Sequence, residues 1–189
     1  MNTRKLLAIS GSPHKNGTTA AMLGYALESA KASGYEITRI DLYEKQLAYC
    51  KGCNGCVQKG HCILPDDITE ITAALKAADM VVLAAPVYWA NVPAAVKNLF
   101  DRLFGTAMEE TRTFPKPRLS GKEYVLLTAC HTPGPFAWLF GQSRGAFRSM
   151  DEFFKTAGMK CRGRFVCTGA HGENILPPAL IRKIQRRFS

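Results

Sequence analysis

The apolar positions of this chain fall into short runs and helical stripes that alternate along its length. Residues 5–9 form a compact apolar run closed by "SGSPHKNGTT", as a buried strand entering a loop would be. From Thr18 the spacing turns helical. Met22, Leu23, Ala26, Leu27 and Ala30 share one face, and Gly34 ends the helix. Residues 35–42 alternate as a second strand. "PDDITEITAALKAAD" then predicts a helix over 66–77, acidic at its start, with Ile68, Ile71, Ala74 and Leu75 on its apolar face. "MVVLAA", residues 80–85, is apolar throughout, the pattern of a central parallel strand. After the loop "PVYWANVP", residues 94–104 read as a helix with Val96, Leu99, Phe100 and Leu103 inward. A fourth strand over 124–129 leads into the loop "CHTPGP". Residues 136–157 are largely helical, with Gly141 and Gly145 as candidate breaks. A fifth strand over 160–167 and a last helix over 177–188, with Leu180, Ile181, Ile184 and Phe188 as its stripe, complete the pattern.

Five strand–helix alternations without an internal repeat predict an α/β fold: a doubly wound parallel sheet covered on both faces, in one domain over residues 1–189. Ligands of such sheets sit beyond the C-terminal strand ends, at the switch point. The loops "SGSPHKNGTT", "APVYWANVP" and "ACHTPG" all follow strands and are expected to meet at one site.

A length of 189 residues and a hydrophobic content of 47% suit one domain with a full core, so folding needs no covalent staple. "MNTRKLLAIS" lacks a cleavage pattern, and no apolar run approaches the ~20 residues that span a bilayer. A cytoplasmic location with reduced thiols, and no membrane partner, are therefore expected. The net charge of +10, concentrated partly in "RKIQRRFS" and in residues 112–118, favours anionic partners or simply keeps the surface solvated. No stretch interleaves aromatics with Lys and Arg, so nucleic acid is not an expected partner.

Backbone amides at a helix start, with hydroxyls from Ser10, Ser12, Thr18 and Thr19, can cradle an anion; a capped strand-to-helix turn uses the same residues. The loop is neither the G-x-x-x-x-G-K-[ST] of nucleoside triphosphate binding nor the G-x-G-x-x-G of dinucleotide binding. Its hydroxyls suit a single terminal phosphate monoester, as FMN carries. In the second loop Pro86 stiffens the turn, and Tyr88 and Trp89 offer flat faces for a flat heterocycle, or else for the core or a subunit interface. Asn91, Cys130 and His131 are further candidates at the border of that site.

"YCKGCNGCVQKGHC" gathers Cys50, Cys53, Cys56 and Cys62 in a cysteine-rich loop at about residues 43–65. Seven cysteines in total cannot all pair within one chain. The spacing C-x2-C-x2-C-x5-C shares its front half with bacterial ferredoxin runs, and Gly52, Gly55 and Gly60 permit sharp turns between ligands. Structural zinc prefers two separated C-x2-C knuckles, though His61 is at hand. A [4Fe–4S] cluster, a metal-free loop, zinc and a redox disulfide all stay open on spacing alone. Cys130, Cys161 and Cys167 lie in or beside strands, where buried small apolar roles are expected.

"GSPHKNGTT" followed by "APVYWANVPAAVKNLFDR" resembles the flavodoxin-like NAD(P)H-dependent FMN reductase family, strongly over residues 5–102 and in layout beyond. The resemblance implies a flavodoxin-like five-stranded sheet in the order 2-1-3-4-5. It implies an FMN phosphate held by Ser10, Ser12, His14, Asn16, Gly17, Thr18 and Thr19, with His14 standing where many relatives have Arg. Pro86, Val87, Tyr88 and Trp89 would then meet the ring, with Asn91 and His131 beside it. The implied activity is an oxidoreductase that takes electrons from NAD(P)H through FMN to a quinone, flavin or nitro compound, with no side chain acting as acid or base. The cysteine motif is similar to that of iron–sulfur flavoproteins in the same family. There Cys50, Cys53, Cys56 and Cys62 would ligate one [4Fe–4S] cluster, in an electron carrier that serves a ferredoxin-like partner. A homodimer or homotetramer is implied as well, for which Phe136, Trp138, Leu139 and Phe140 form a candidate contact.

Overall fold

The computed structural model describes residues 3–171 and 175–188. Strands β1 (Lys5–Ser10), β2 (Glu36–Asp41), β3 (Met80–Pro86), β4 (Glu123–Cys130) and β5 (Lys160–Thr168) form one parallel sheet in the order β2-β1-β3-β4-β5. This is the flavodoxin-like order, with the switch point between β1 and β3.

Alternation along each strand divides the core into two layers. Leu7, Ile9, Val81, Leu83 and Leu126 face one helical layer: α3 (Ile68–Ala77), α4 (Ala94–Arg102) and α7 (Gln142–Thr156). Leu6, Ala8, Val82, Val125 and Leu127 face the other, made by α1 (Thr18–Ala32) and α8 (Pro178–Gln185). The edge strand β5 serves both. Its register slips between Tyr124 and Val125, so Arg162 is passed over as Cys161 pairs with Tyr124 and Gly163 with Val125. Before this bulge Cys161 packs on the α7 layer; after it Phe165 and Cys167 join the α1 layer.

The expected stripes are inward where they were read: Val96, Leu99, Phe100, Leu103, Ile184 and Phe188 are buried. Several bounds differ by one to three residues, and four differences are larger. The 94–104 helix stops at Arg102, and a separate turn α5 (Phe104–Ala107) follows, since Leu103 (φ −89°, ψ 4°) leaves helical geometry. The 136–157 helix is two, α6 (Gly134–Leu139) and α7, split at Gly141 in the left-handed region (φ +69°). Gly145 does not break α7. The cysteine-rich loop contains a short helix α2 (Gly55–Lys59), and Met108–Glu109 pairs antiparallel with Lys116–Pro117; neither was visible as an apolar pattern. Among the described residues no helix is long and apolar enough to cross a membrane.

Candidate functional site

The carboxyl ends of β1, β3, β4 and β5 are tied to one another by their loops. Gly11 N–H donates to the Ala84 carbonyl (2.7 Å) and Val87 N–H to that of Ala129 (2.9 Å). Ala170 N–H donates to the Cys130 carbonyl (3.0 Å), and the buried Thr128 hydroxyl to that of Ala85 (2.7 Å). These bonds fix the floor of a cavity of about 570 Å³, and all three loops read from the sequence meet there.

One end of the cavity is polar. Ser12, Asn16, Gly17, Thr18 and Thr19 line it, with Pro13, His14 and Lys15. Gly17 occupies the position before α1 in extended backbone, and the first turn of α1 holds no acidic residue. The positive end of the helix dipole is therefore not offset by a carboxylate. Ser12 Oγ accepts from His14 N–H (3.2 Å), which shapes the loop around the cradle. Lys15 is turned to Glu44 in an exposed ion pair. The other end is flatter and more apolar: Pro86, Val87, Tyr88, Ala129, Cys130, His131 and Ala170.

Eleven of the sequence-read residues thus share this lining: Ser12, His14, Asn16, Gly17, Thr18, Thr19, Pro86, Val87, Tyr88, Cys130 and His131. Ser10, Trp89 and Asn91 lie outside it. Ser10 is buried at the end of β1. Tyr88 and Asn91 exchange both backbone hydrogen bonds (2.8 and 2.9 Å), which makes Trp89 and Ala90 the corners of a two-residue turn. Both corners take left-handed backbone (φ +52° and +56°), uncommon for residues with side chains, and Trp89 is thrown fully into solvent. Asn91 lines a neighbouring groove of about 750 Å³ between α4 and α7, with Phe100, Phe104 and Phe153. The turn rests against α7, where a β-carbon on Gly145 would lie 2.0 Å from the Ala90 carbonyl oxygen.

Sequence reasoning missed Pro13, Lys15, Ala129 and Ala170. Ala170 belongs to the loop after β5, and the strand-end rule, applied to the fifth strand as to the first, would have found it. Its neighbour His171 stands edge-on to His131 (centroids 6.0 Å apart). Burial pushes the Cys130 and Cys167 thiols up, Cys130 also through Cys167, so both stay neutral, as small apolar residues do. Cys161 is half-buried.

The four cysteines of the second motif are not gathered as ligands. Cys50 and Cys53 are exposed, while Cys56 and Cys62 are half-buried. Among the described residues no group of three or more His, Cys, Asp or Glu side chains is arranged to hold a metal ion. The cause lies in the backbone and in one partner. Gly52 and Asn54 take left-handed conformations (φ +64° and +57°) that turn the chain at Cys53, and Arg102 Nε–H donates to Cys62 Sγ at 3.1 Å. As placed, the thiols do not fit a cluster.

Arg102 is the largest fully buried side chain, 1% exposed. Its guanidinium meets Asp66 in a bidentate pair (2.8 and 2.8 Å) and also donates to the Ala48 carbonyl. Burial works to raise the Asp66 carboxyl, yet bonds from Arg102, Ile68 N–H and Ala48 N–H outweigh it and hold that carboxyl below its ordinary value.

The chain is similar to known proteins in sequence and in fold. An iron–sulfur flavoprotein of Archaeoglobus fulgidus is 39% identical over 99 residues, 52% of this chain and 45% of that protein. One of Methanosarcina thermophila is 42% identical over 98 residues, 52% of this chain and 51% of that protein. The chain spans about half the length of these relatives. An NAD(P)H:quinone oxidoreductase from Methanothermobacter marburgensis superposes with a TM-score of 0.76 at 18% identity, over 98% of this chain and 95% of that one. An FMN-dependent NADH-azoreductase from Bacillus anthracis, in complex with FMN, superposes with a TM-score of 0.70 at 15% identity, over 97% of each chain. At such identities these two structures establish the fold. The sequence profile of the NADPH-dependent FMN reductases matches residues 4–132, strands β1 to β4 with the cavity loops that follow β1, β3 and β4, and the chain belongs to that family.

Proposed function

We propose that this chain is an FMN-dependent oxidoreductase that carries electrons from NAD(P)H through bound FMN to a small acceptor such as a quinone, a flavin or a nitro compound. One observation carries the reading: a single cavity joins a hydroxyl- and amide-lined helix start to a flat, apolar end at Pro86, Val87 and Tyr88. That polarity matches a molecule with a phosphate at one end and a planar ring at the other.

Ser12, Asn16, Gly17, Thr18 and Thr19, with His14 at the rim, hold the phosphate in this reading, and Ser10 supports the loop from beneath. Pro86, Val87 and Tyr88 orient the ring, His131 borders it, and Trp89 and Asn91 hold the turn beside it. FMN, when bound, supplies the hydride and electron chemistry. The protein's part is to bind, to orient and to exclude water from one ring face.

A saturable fluorescence titration with FMN tests the reading. FMN is expected to bind at least about tenfold more tightly than riboflavin, which lacks the phosphate. Oxidation of NADH or NADPH with a quinone acceptor then tests turnover. Absence of saturable FMN binding removes the proposal.

A second reading draws support from the relatives named iron–sulfur flavoproteins and from the C-x2-C-x2-C-x5-C spacing: Cys50, Cys53, Cys56 and Cys62 take up a [4Fe–4S] cluster after the loop closes, and the chain exchanges electrons with a ferredoxin-like partner. Iron and acid-labile sulfide in anaerobically purified protein decide it: four of each per chain support it, none of either rejects it. A cytoplasmic location belongs to the proposal and is consistent with seven free cysteines. So does a homodimer or homotetramer, for which Phe136, Trp138, Leu139 and Phe140, all more than half exposed, offer an apolar surface.

A further inference from the structure

The segment from Leu47 to Asp66 holds four cysteines, yet little apolar burial keeps it in place. Along the described part of this segment no residue is fully buried. What holds it is polar, and comes from α4 and α5. Asn98 accepts from Cys50 N–H through Oδ1 (3.3 Å) and donates through Nδ2 to the Leu47 and Ala48 carbonyls (3.3 and 3.3 Å). One helical turn later Arg102 reaches Ala48, Cys62 and Asp66 together. Gly105 then comes so close to Cys56 that a β-carbon there would lie 2.3 Å from the Cys56 carbonyl oxygen. Arg118 secures the far side through the Gly105 carbonyl (2.9 Å). Cys53 alone receives no such contact and stands exposed at the tip.

We propose that Arg102 is the positioning residue of the cysteine segment: its Nε–H···Sγ bond fixes Cys62, the α4–α5 unit grips the backbone at Cys50 and Cys56, and only the Cys53 tip is left to move. The arrangement is asymmetric. A buried guanidinium has five donors in a rigid fork, and here Asp66 takes two in a bidentate pair, Ala48 shares one nitrogen with it, and sulfur takes Nε. Lysine cannot reproduce that fork.

The test is hydrogen–deuterium exchange on the metal-free chain of residues 1–189. The amides of Ala48 and Cys50, which donate to Asp66 and Asn98, are expected to exchange slowly in the wild type and in Cys62→Ser, where an oxygen still accepts from Nε. In Cys62→Ala and Arg102→Lys they should exchange about tenfold faster, with α1 and the central strands unchanged. Equal protection in Cys62→Ala and wild type overturns the proposal, and so does acceleration spread evenly over the sheet. Should Arg102→Lys not fold, the serine and alanine variants of Cys62 decide alone.

Discussion

Gly145 of α7 supports the carbonyl of Ala90, at the corner of the turn beside the cavity, and no side chain fits between them. Two consecutive left-handed residues in that turn are held by this contact together with the Tyr88–Asn91 hydrogen bonds, because nothing in Trp89 or Ala90 favours such backbone. Alanine at 145 suits a helix, yet it would push against a backbone oxygen, and overpacking costs about 1–3 kcal/mol. Gly145→Ala is therefore expected to weaken FMN and riboflavin alike, by about tenfold, since it disturbs the ring end of the cavity. Parallel titrations with both ligands check this.

The opposite pattern is expected at the polar end. Thr19 is 4% exposed and Ser12 5%, and both line the cavity. Loss of one hydroxyl bond to a phosphate costs about 1.5–3 kcal/mol. Thr19→Ala should weaken FMN by tenfold or more and leave riboflavin nearly unaffected. Equal losses for the two ligands would place the phosphate elsewhere.

The layers of the fold were legible because apolar spacing is imposed by burial: Val96, Leu99 and Phe100 form one face of α4, Leu103 follows just past its end, and all four lie in the core. The polar half of the site was legible for a related reason, since few residues other than Ser, Thr, Asn and Gly make an anion cradle. Trp89 was read as a ring contact from its type alone; its backbone, which the sequence did not show, turns it outward through two positive φ values. The short helix at Gly55–Lys59 and the ribbon near residue 108 carry no apolar period, being held by Arg118, Gly105 and Cys56 rather than by a stripe. The role of Arg102 was hidden entirely, because a buried arginine looks like a surface one until its partners 36 to 54 residues away are known.

Acid will loosen this network. The Asp66 carboxyl is held below its ordinary value in the folded chain, so the stability it contributes is complete above the unfolded carboxylate value of about 3.9 and is lost as pH falls from there through the depressed folded value. Asp66→Asn should remove that contribution at every pH and lower stability at pH 7 by about 3 kcal/mol, the cost of leaving a buried charge without its partner. Denaturant unfolding at pH 7 and pH 3 measures both effects: the variant should lose less on acidification than the wild type.

Thr106 Oγ1 is the one buried side-chain polar atom without a partner among the described residues. Replacing an unpartnered buried hydroxyl by a methyl group removes a desolvation penalty. Thr106→Val should raise stability by about 1 kcal/mol, read as a higher unfolding midpoint. A loss of similar size would mean that the hydroxyl is bonded in solution.

The exposed face of α6 should mediate self-association. Trp138 and Leu139 are 63% and 61% exposed, and Arg144 lies over the Trp138 ring at 5.0 Å. Leu139→Asp is expected to shift the protein from dimer or tetramer to monomer in light scattering. An unchanged mass would assign this face another role.

One end of the sheet is guarded by charge. The edge strand β5 exposes Lys160, Arg162 and Arg164, and only Glu123 and Asp151 answer them. A second sheet approaching this border would bring cation against cation before any backbone hydrogen bond could form. Concentrated protein should therefore keep better in dilute buffer than in strong brine, where mobile ions mask that repulsion within a few ångströms.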